Sequence, residues 1–155
     1  MSPAKKIARI RAIFAEFMST GSPQMLIDSL TRDAVYTMSI GPGTPISGPF
    51  VGKESIAGYF RDLPATADHL AVNIHDYLAN DDKVVVLGDE TLRIKENGVV
   101  FFSEFATVFT FRGKKICHVL AVENLGAISN AYDAPPASPP AQGHGPTSTP
   151  TPLAA

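Results

Sequence analysis

One glutamate and two possible partners in this sequence have the side chains needed for proton transfer in an apolar setting. Glu90 lies in a stretch of alternating residues, and the stretch that follows it along the chain is rich in phenylalanine. If this carboxyl group points toward aromatic side chains, burial disfavours its ionised form and raises its pKa. Such a group carries a proton near neutral pH, and Tyr36 and His118 could hydrogen-bond a substrate oxygen beside it. These residues therefore indicate general acid/base chemistry.

Each of these residues also has a purely structural interpretation. A glutamate next to Asp89 in a strand usually faces solvent, and a register error of one residue would place Glu90 there. His118 alternates with apolar neighbours, which is typical of a hydrogen-bonded core histidine. Tyr36 is an ordinary strand residue that could simply pack. His69 and His75 are the remaining histidines before the C-terminal segment, but no third ligand has fitting spacing, so we expect neither a metal nor a cofactor.

Composition limits the classes of protein to which the chain can belong. It has 155 residues, 45% of them hydrophobic, and a formal net charge of −2, which suit one globular domain and give no basic surface for nucleic acid. No uncharged apolar run approaches the roughly 20 residues of a membrane span. Charges interrupt the N-terminal stretch that would otherwise resemble a signal peptide, and Cys117 is the single cysteine. We therefore expect a cytoplasmic protein without a disulfide.

The first 65 residues predict three helices and a strand. Residues 5–18 have helical spacing, and Gly21 is placed to end that helix. Ser22 and Pro23 read as the N-cap and first position of a short second helix to Leu30. A strand over 33–40, a loop rich in glycine and proline, and a third helix over about 53–63 follow these two helices.

The remainder of the domain predicts a meander of four antiparallel strands. They cover roughly 69–79, 83–95, 99–111 and 115–124, and hairpin turn residues separate them. Helices followed by a meander indicate an α+β fold, with the helices packed on one face of the sheet. The domain is expected to span 1–132, and 133–155 is expected to be a disordered proline-rich tail, which could alternatively be a ligand for a partner.

The turns also predict which side chains share a face of the sheet. A two-residue turn at Asn97-Gly98 places Glu90 opposite Phe105, on the face with the other phenylalanines of that strand. A two-residue turn before the last strand adds His118 and its alternate neighbours, whereas a three-residue turn would reverse that strand. A turn at Asp81-Asp82 adds four further residues: His69, Asn73, His75 and Tyr77. The expected substrate-binding residues are Phe14, Phe17, Met38, Phe60, Asn73, Phe105, Thr107, Phe109 and Leu120.

The opposite face of the predicted sheet is too apolar to be solvated. Its expected members are Val72, Ile74, Val85, Leu87, Ala106 and Val108. An apolar sheet face without a covering layer is typical of an interface between copies of a chain. The sequence therefore predicts a homodimer that forms through this outer face.

Two segments carry a resemblance to a known family over about residues 5–130. The stretch GPFVGKESIAGYF is similar to the loop into the third helix of the SnoaL-like branch of the nuclear transport factor 2-like superfamily, and VFTFRGKKI is similar to its penultimate hairpin. Glu123 stands where an aspartate often occurs. The resemblance implies a ketosteroid isomerase-like cone, a curved antiparallel sheet with about three N-terminal helices on its concave face. This fold hosts isomerases, dehydratases, epoxide hydrolases, cyclases and noncatalytic scaffolds.

The functional residues of two related enzyme groups are largely replaced here. Against ketosteroid isomerase, the catalytic base falls on Met38, the oxyanion-hole tyrosine on Phe14 and the protonated acid on Thr107. Against limonene epoxide hydrolase, Tyr36 and Glu90 match active-site positions, but three others differ: Met38, Gly88 and Leu120. Neither known set of catalytic residues is complete.

A third resemblance adds one histidine to the candidate site. The segment ADHLAVNI is similar to scytalone dehydratase-like sequences, which implies a catalytic role for His69, with Asn73 four residues later. The expected function is cofactor-free isomerisation, dehydration or cyclisation of an apolar oxygenated molecule, such as a polyketide, terpenoid or steroid. Glu90, Tyr36, His118 and His69 are the expected catalytic residues. The alternative is a noncatalytic ligand-binding or dimerisation module.

Overall fold

The structure is a computed structural model that describes residues 1–40 and 44–137. Residues 138–155 of the expected tail lie outside the described residues. The helices are α1 (Pro3–Thr20), α2 (Gln24–Ser29), α3 (Lys53–Asp62) and α4 (Leu125–Asp133). The strands are β1 (Leu30–Met38), β2 (Phe50–Val51), β3 (Ala67–Ala79), β4 (Lys83–Ile94), β5 (Val100–Arg112) and β6 (Lys115–Glu123).

The strands form one curved, open six-stranded sheet in the order β2-β1-β6-β5-β4-β3. All neighbouring pairs are antiparallel except β1 and β6, which run parallel. The long connection between those two strands, which contains α3 and the meander, makes a parallel pairing accessible. The predicted α+β class and the helices on the concave face are confirmed, with α4 as an additional helix at the C-terminal end.

Helix α1 attaches to the concave face of the sheet through both apolar and charged side chains. Ile10 and Ile13 are buried in the main core. Lys6 is also buried, with its stem in the core, and its Nζ donates a hydrogen bond to the carbonyl oxygen of Asp81. The same ammonium group lies 5.6 Å from the ring centre of Phe111. Among the described residues, no helix combines the length and the apolar composition needed to cross a membrane.

The predicted boundary between the first two helices is confirmed. Gly21 has φ of 72°, and its N–H donates to the carbonyl oxygen of Phe17 at 2.8 Å. This left-handed conformation is one that glycine adopts at low cost. Pro23 takes the N-cap position of α2, one residue later than predicted, and Ser22 Oγ accepts a hydrogen bond from Gln24 N at 3.2 Å.

Two β-bulges in β3 change which of its residues face the core. The hairpin turn at Asp81-Asp82 forms as predicted, and Tyr77 pairs with Val86. The register then shifts by one residue at His75 and by one more in the same direction at Leu70. Asn73 and His75 therefore lie on the outer face, contrary to the prediction, because each bulge reverses the alternation of side chains.

A third bulge, in β6, reverses the faces to which the side chains of its C-terminal half point. Ile116 pairs with Phe111, and both side chains are buried in the core, as predicted. Cys117 is then the extra residue, because the next pair is His118 with Thr110. From that point the odd-numbered residues of β6 face the cavity. The prediction that His118 and Leu120 face the cavity is therefore wrong, although the two-residue turn on which it was based is correct.

The pairing of β4 with β5 differs from the prediction, but each side chain still points to the predicted face of the sheet. Arg93 pairs with Val100, so Glu90 lies opposite Ser103 instead of Phe105. The turn is longer than two residues because Ile94 N–H donates to the carbonyl oxygen of Val99 at 2.9 Å. The register error is two residues, which preserves the alternation. Glu90 therefore stays on the aromatic face, as predicted.

The outer face of the sheet is apolar but differs in composition from the prediction. Val85 pairs with Val108 and Leu87 with Ala106 on this face. Val72 and Ile74 were expected here, but they pack against the main core because of the bulges in β3. The outer face also has large exposed apolar side chains: Leu78, Phe102 and Val122.

Helix α4 packs beside β5 and is attached through Asn97. The Nδ2 atom of Asn97 donates to the carbonyl oxygens of Ala131 at 2.8 Å and Ala134 at 3.1 Å. Ile128 of this helix is fully buried against Met38 and its neighbours. The helix therefore forms part of the wall around the space beneath the sheet.

We expect Gly88→Ala to destabilise the protein because the added methyl group has no room. A Cβ atom at this position would lie 2.4 Å from the carbonyl oxygen of Asn73 and 2.6 Å from Cζ of Phe105. The expected loss is about 1–3 kcal/mol of unfolding free energy, measured by urea denaturation. Gly58→Ala is the control, because its nearest contact is 3.5 Å, to the flexible end of Arg61. Equal urea midpoints for Gly88→Ala and wild type would contradict the steric argument.

Candidate functional site

A cavity of about 140 Å³ lies between the concave face of the sheet and the helices. Side chains from all four helices and from β1, β3, β4, β5 and β6 line it, and most of them are apolar. The cavity contains ten of the predicted site residues: Glu90, Tyr36, His69, Phe14, Phe17, Met38, Phe60, Phe105, Thr107 and Phe109.

Three predicted site residues lie outside the cavity. His118 Nε2 lies 3.1 Å from Thr37 Oγ1, in the outer layer of the sheet. Asn73 Nδ2 donates to Asp89 Oδ1 at 2.8 Å, also on the outer face. Leu120 pairs with Val108 on that face. The bulges described above move all three away from the cavity.

Glu90 and Glu123 form a hydrogen-bonded pair of carboxyl groups inside the cavity. Burial raises the pKa of Glu90 to about 9, and the charge of Glu123 and the hydrogen bond between them add to this effect. Burial also raises the pKa of Glu123 above its ordinary value. Two adjacent buried carboxyl groups cannot both ionise without a large cost, so they titrate as a unit that retains a proton near neutral pH.

The surroundings of the pair favour Glu123 as the ionised member. Hydrogen bonds from Glu90 and Ser103 lower the pKa of Glu123 and oppose the effect of its burial. Ser103 is fully buried, and its single hydroxyl proton has two acceptors, the carbonyl oxygen of Glu104 at 3.1 Å and Glu123 Oε2 at 3.4 Å. The same hydroxyl accepts a hydrogen bond from Asn124 N at 3.1 Å, which fixes its position. Glu90 therefore holds the shared proton, and Glu123 accepts it as a hydrogen bond.

His69 lies at the edge of the pair as a neutral imidazole. Its Nε2 atom is 3.6 Å from Glu90 Oε2, which is too long for a direct hydrogen bond. Burial lowers the pKa of His69, partly offset by the charge of Asp68. Since Glu90 is protonated and His69 is not, the contact joins two neutral groups. The imidazole ring packs edge-on against Phe17 with a centroid distance of 5.7 Å.

Two tyrosines stand near the carboxyl pair within an aromatic cluster. Burial raises the pKa of Tyr36 and of Tyr59 well above the usual tyrosine value, and the nearby acidic groups add to this effect. The rings of Tyr36, Tyr59 and Phe60 lie 5.0–5.5 Å apart. Phe50 stacks on the ring of Tyr59, with a centroid distance of 4.3 Å. The phenols therefore remain protonated donors over the whole neutral range.

Sequence reasoning missed Glu123, Tyr59 and the contribution of α4. Glu123 matches the family pattern, but a strict two-residue alternation in the last strand predicts the outer face for it. Tyr59 adjoins Phe60 at the end of α3, where helical spacing alone does not fix which residue faces inward. Tyr132 of α4 also lines the cavity. That helix lies between the last predicted strand and the expected tail, where the sequence predicts no element.

A family model described as the SnoaL-like domain matches residues 10–119, well over half of the chain. The chain belongs to the SnoaL-like family. The matched range includes Tyr36, His69 and Glu90, but ends before Glu123. Comparison of this SnoaL-like protein with curated protein sequences gives no match.

Solved structures confirm the fold of the SnoaL-like chain. An NTF2-like protein from Burkholderia xenovorans has 19% identity and a TM-score of 0.72, with 84% of this chain and 98% of that chain covered. A ketosteroid isomerase-like protein from Catenulispora acidiphila, in complex with trimethylamine, has 21% identity and a TM-score of 0.66, with coverages of 81% and 93%. TerC, co-crystallised with polyporic acid, has 18% identity and a TM-score of 0.68, with coverages of 84% and 98%. At these identities the likeness shows the fold alone.

The buried carboxyl pair predicts that stability falls as pH rises. The pKa of Glu90 increases from 4.5 to about 9 on folding, so the folded protein binds more protons than the unfolded chain within that range. Glu90→Gln removes one of the titrating groups. We expect the unfolding free energy of wild type to fall between about pH 7 and pH 9, and that of Glu90→Gln to fall less, by at least about 1 kcal/mol.

Urea denaturation followed by circular dichroism measures this difference. The chosen range avoids His69, because a lowered histidine pKa affects stability only below its ordinary value of 6.5. Glu104→Gln removes an exposed carboxyl group of β5 and is expected to keep the wild-type pH dependence. If Glu90→Gln shows the same slope as wild type, the pair does not hold a proton at neutral pH.

Proposed function

We propose that this SnoaL-like protein is an enzyme that performs cofactor-free general acid/base chemistry on a small apolar oxygenated molecule, such as a polyketide, terpenoid or steroid. The reaction is an isomerisation, dehydration or cyclisation. The observation that carries this proposal is the carboxyl pair of Glu90 and Glu123 in an apolar cavity. Two carboxyl groups with different proton affinities supply an acid and a base at the same pH.

The two carboxyl groups have complementary roles in the proposed reaction. The carboxylate of Glu123 takes a proton from substrate carbon, and the carboxylic acid of Glu90 gives its proton to the substrate oxygen. The hydrogen bond between the two groups then provides a route that returns the proton from Glu123 to Glu90. The enzyme is thereby restored without an external acid. Proton transfer of this kind typically contributes about 10²- to 10⁴-fold to a rate.

Tyr36 is the proposed second donor to the substrate oxygen. Its phenol remains protonated because burial and the nearby acids raise its pKa. A donor that is already in place when the oxygen gains charge costs no reorganisation during the reaction. His69 is available at the edge of the pair as a neutral group that can either donate or accept a hydrogen bond, depending on its tautomer.

The aromatic walls of the cavity support this chemistry by excluding water. Phe14 packs edge-on against Phe109 at 6.2 Å, and Phe17 against Phe60 at the same distance. A dry site strengthens each hydrogen bond to the substrate and keeps the pKa of Glu90 high. The walls also provide the apolar contacts that a polyketide or terpenoid skeleton would need.

The structural neighbours support a small-molecule role by analogy. The Catenulispora protein is in complex with trimethylamine, and TerC was co-crystallised with polyporic acid. Both proteins therefore combine this fold with an organic molecule. The analogy is with the fold and does not identify the substrate of this chain.

The second candidate function is a noncatalytic ligand-binding or dimerisation module. Met38 and Phe14 favour it, because both line the cavity at positions where ketosteroid isomerase-like enzymes are expected to carry catalytic groups. In that case the carboxyl pair would only bind a ligand oxygen. The exchange experiment below separates the two functions, since binding alone does not exchange protons on carbon.

We expect the protein to exchange protons next to a carbonyl group in apolar ketones. A panel of such ketones is incubated in D₂O, and deuterium at carbon is measured by mass spectrometry. Glu90→Gln and Glu123→Gln should each slow exchange by at least about 10²-fold, because each removes one half of the acid/base pair. Glu54→Gln, an exposed acid in α3, is the matched control. Full exchange activity in Glu90→Gln or Glu123→Gln would refute the assigned role.

We also propose that the protein forms a homodimer through the outer face of the sheet. Phe102 is 54% exposed and Val122 is 42% exposed, beside a row of half-buried apolar residues on β4, β5 and β6. Contiguous apolar surface of this kind is uncommon on a monomer and is typical of protein interfaces. The interface would leave the cavity accessible, because the cavity lies on the opposite side of the sheet.

Sedimentation velocity at micromolar concentration tests the dimer. Wild type should sediment as a dimer, and Ala106→Glu combined with Leu120→Glu should sediment as a monomer, because both place a charge in the middle of the apolar face. Met25→Glu adds a charge at an exposed residue of α2, on the helical side of the sheet, and should remain dimeric. A wild-type protein that is strictly monomeric under these conditions would exclude the interface.

A further inference from the structure

An apolar groove on the surface of the protein adjoins the cavity. The groove lies between the C-terminal end of α1, the turn after α3 and the start of β3. Six residues line both spaces: Phe17, Phe60, Leu63, Ala67, His69 and Val72. The groove and the cavity therefore share a wall, and one ligand could contact both.

Two large apolar side chains in the groove are exposed to solvent. Met18, at the end of α1, is 53% exposed, and Leu70 of β3 is 45% exposed. Leu70 is the extra residue of the first bulge in β3. Bulges commonly redirect a side chain next to a binding site. Exposed apolar groups that border a cavity favour an apolar ligand over water.

The groove offers no unpaired acid or base for recognition of a polar partner among the described residues. Asp68 forms an ion pair with Lys95, in which Nζ lies 3.2 Å from Oδ1. His69 points toward Glu90 in the cavity. The remaining lining residues, from Met18 to Val72, have no charged side chain. The chemistry of the groove therefore suits a hydrocarbon extension.

The size of the cavity indicates why a substrate would need the groove. Pockets that enclose a drug-sized ligand have volumes of about 300–1,000 Å³. The cavity is smaller, at about 140 Å³. A polyketide, terpenoid or steroid must therefore extend beyond the cavity, and the groove shares six lining residues with it.

We infer that the groove binds an apolar extension of the substrate while the oxygenated head lies beside Glu90 and Glu123. This inference rests on the proposed function and defines the substrate further, as a molecule with a compact polar head and a hydrocarbon tail. The tail passes from the cavity to the groove along the residues that line both spaces, beside the edge-on contact of Phe17 with His69 at a centroid distance of 5.7 Å. Met18 and Leu70 then contact the tail and select for its length.

A series of alkylphenols tests the inference. Phenol, 4-ethylphenol, 4-butylphenol and 4-hexylphenol share one polar head and differ only in the length of the alkyl tail. Isothermal titration calorimetry should show the wild-type dissociation constant falling by about threefold to fourfold per methylene through the hexyl member. Leu70→Glu with Met18→Glu should bind phenol and 4-ethylphenol as wild type does, and should lose at least about tenfold affinity for 4-hexylphenol.

The control is Val51→Glu, which adds a charge at an exposed apolar residue outside the groove and should bind the whole series as wild type does. If wild-type affinity stops rising after 4-ethylphenol, the inference is wrong, whereas deuterium exchange can still support the proposed function. If 4-hexylphenol binds Leu70→Glu with Met18→Glu as tightly as wild type, the tail lies elsewhere and the inference is also wrong. Sedimentation of this double variant excludes the other occupant: a change in oligomeric state would assign the groove to a second copy of the chain.

Discussion

One proton shared by two buried carboxyl groups is the constraint on which the functional site depends. Placing two negative charges in an apolar cavity costs far more than a folded protein of this size can offset. Retaining one proton on Glu90 removes a charge and supplies Glu123 with a strong hydrogen bond. The buried hydroxyl of Ser103 makes the arrangement asymmetric. Retention of one proton thus lowers the cost of burying the pair and also leaves it with one acid and one base for proton transfer.

Bulges in the sheet place this pair and its neighbours. An uninterrupted β6 would turn His118 toward the helices and Glu123 toward the outer face. The extra residue Cys117 exchanges them, so the cavity receives a carboxyl group where alternation would supply an imidazole. The bulges in β3 act in the same way and keep His69 inside while they move Asn73 outside. Irregularities of one residue thus determine the chemistry of the cavity, while the architecture of the sheet is unchanged.

The apolar residues around the pair contribute to stability and to chemistry through the same contacts. The rings of Tyr36, Tyr59 and Phe60 pack against one another and fill the space beneath the helices. By excluding water, they raise the pKa of Glu90, which links the packing of the core to the proton affinity of the site. A change in this packing would therefore alter both the stability of the fold and the proton affinity of Glu90. This coupling is common at active sites, where groups that would be unfavourable elsewhere are retained.

His69 faces inward, as predicted, only because the two bulges in β3 cancel in the alternation of its side chains. The sequence by itself determined the α+β class, the positions of three helices and four long strands, and the inward direction of Glu90 and Tyr36. These features depend on local periodicity and turn residues, and a register error of two residues between β4 and β5 left the faces unchanged. Tertiary structure alone decided that Glu123 faces the cavity and that α4 closes it. A bulge depends on how a strand fits both neighbours and the curvature of the sheet, so Cys117 and its flanking residues carry no local signal for it. For that reason the sequence did not identify Glu123 as the partner of Glu90.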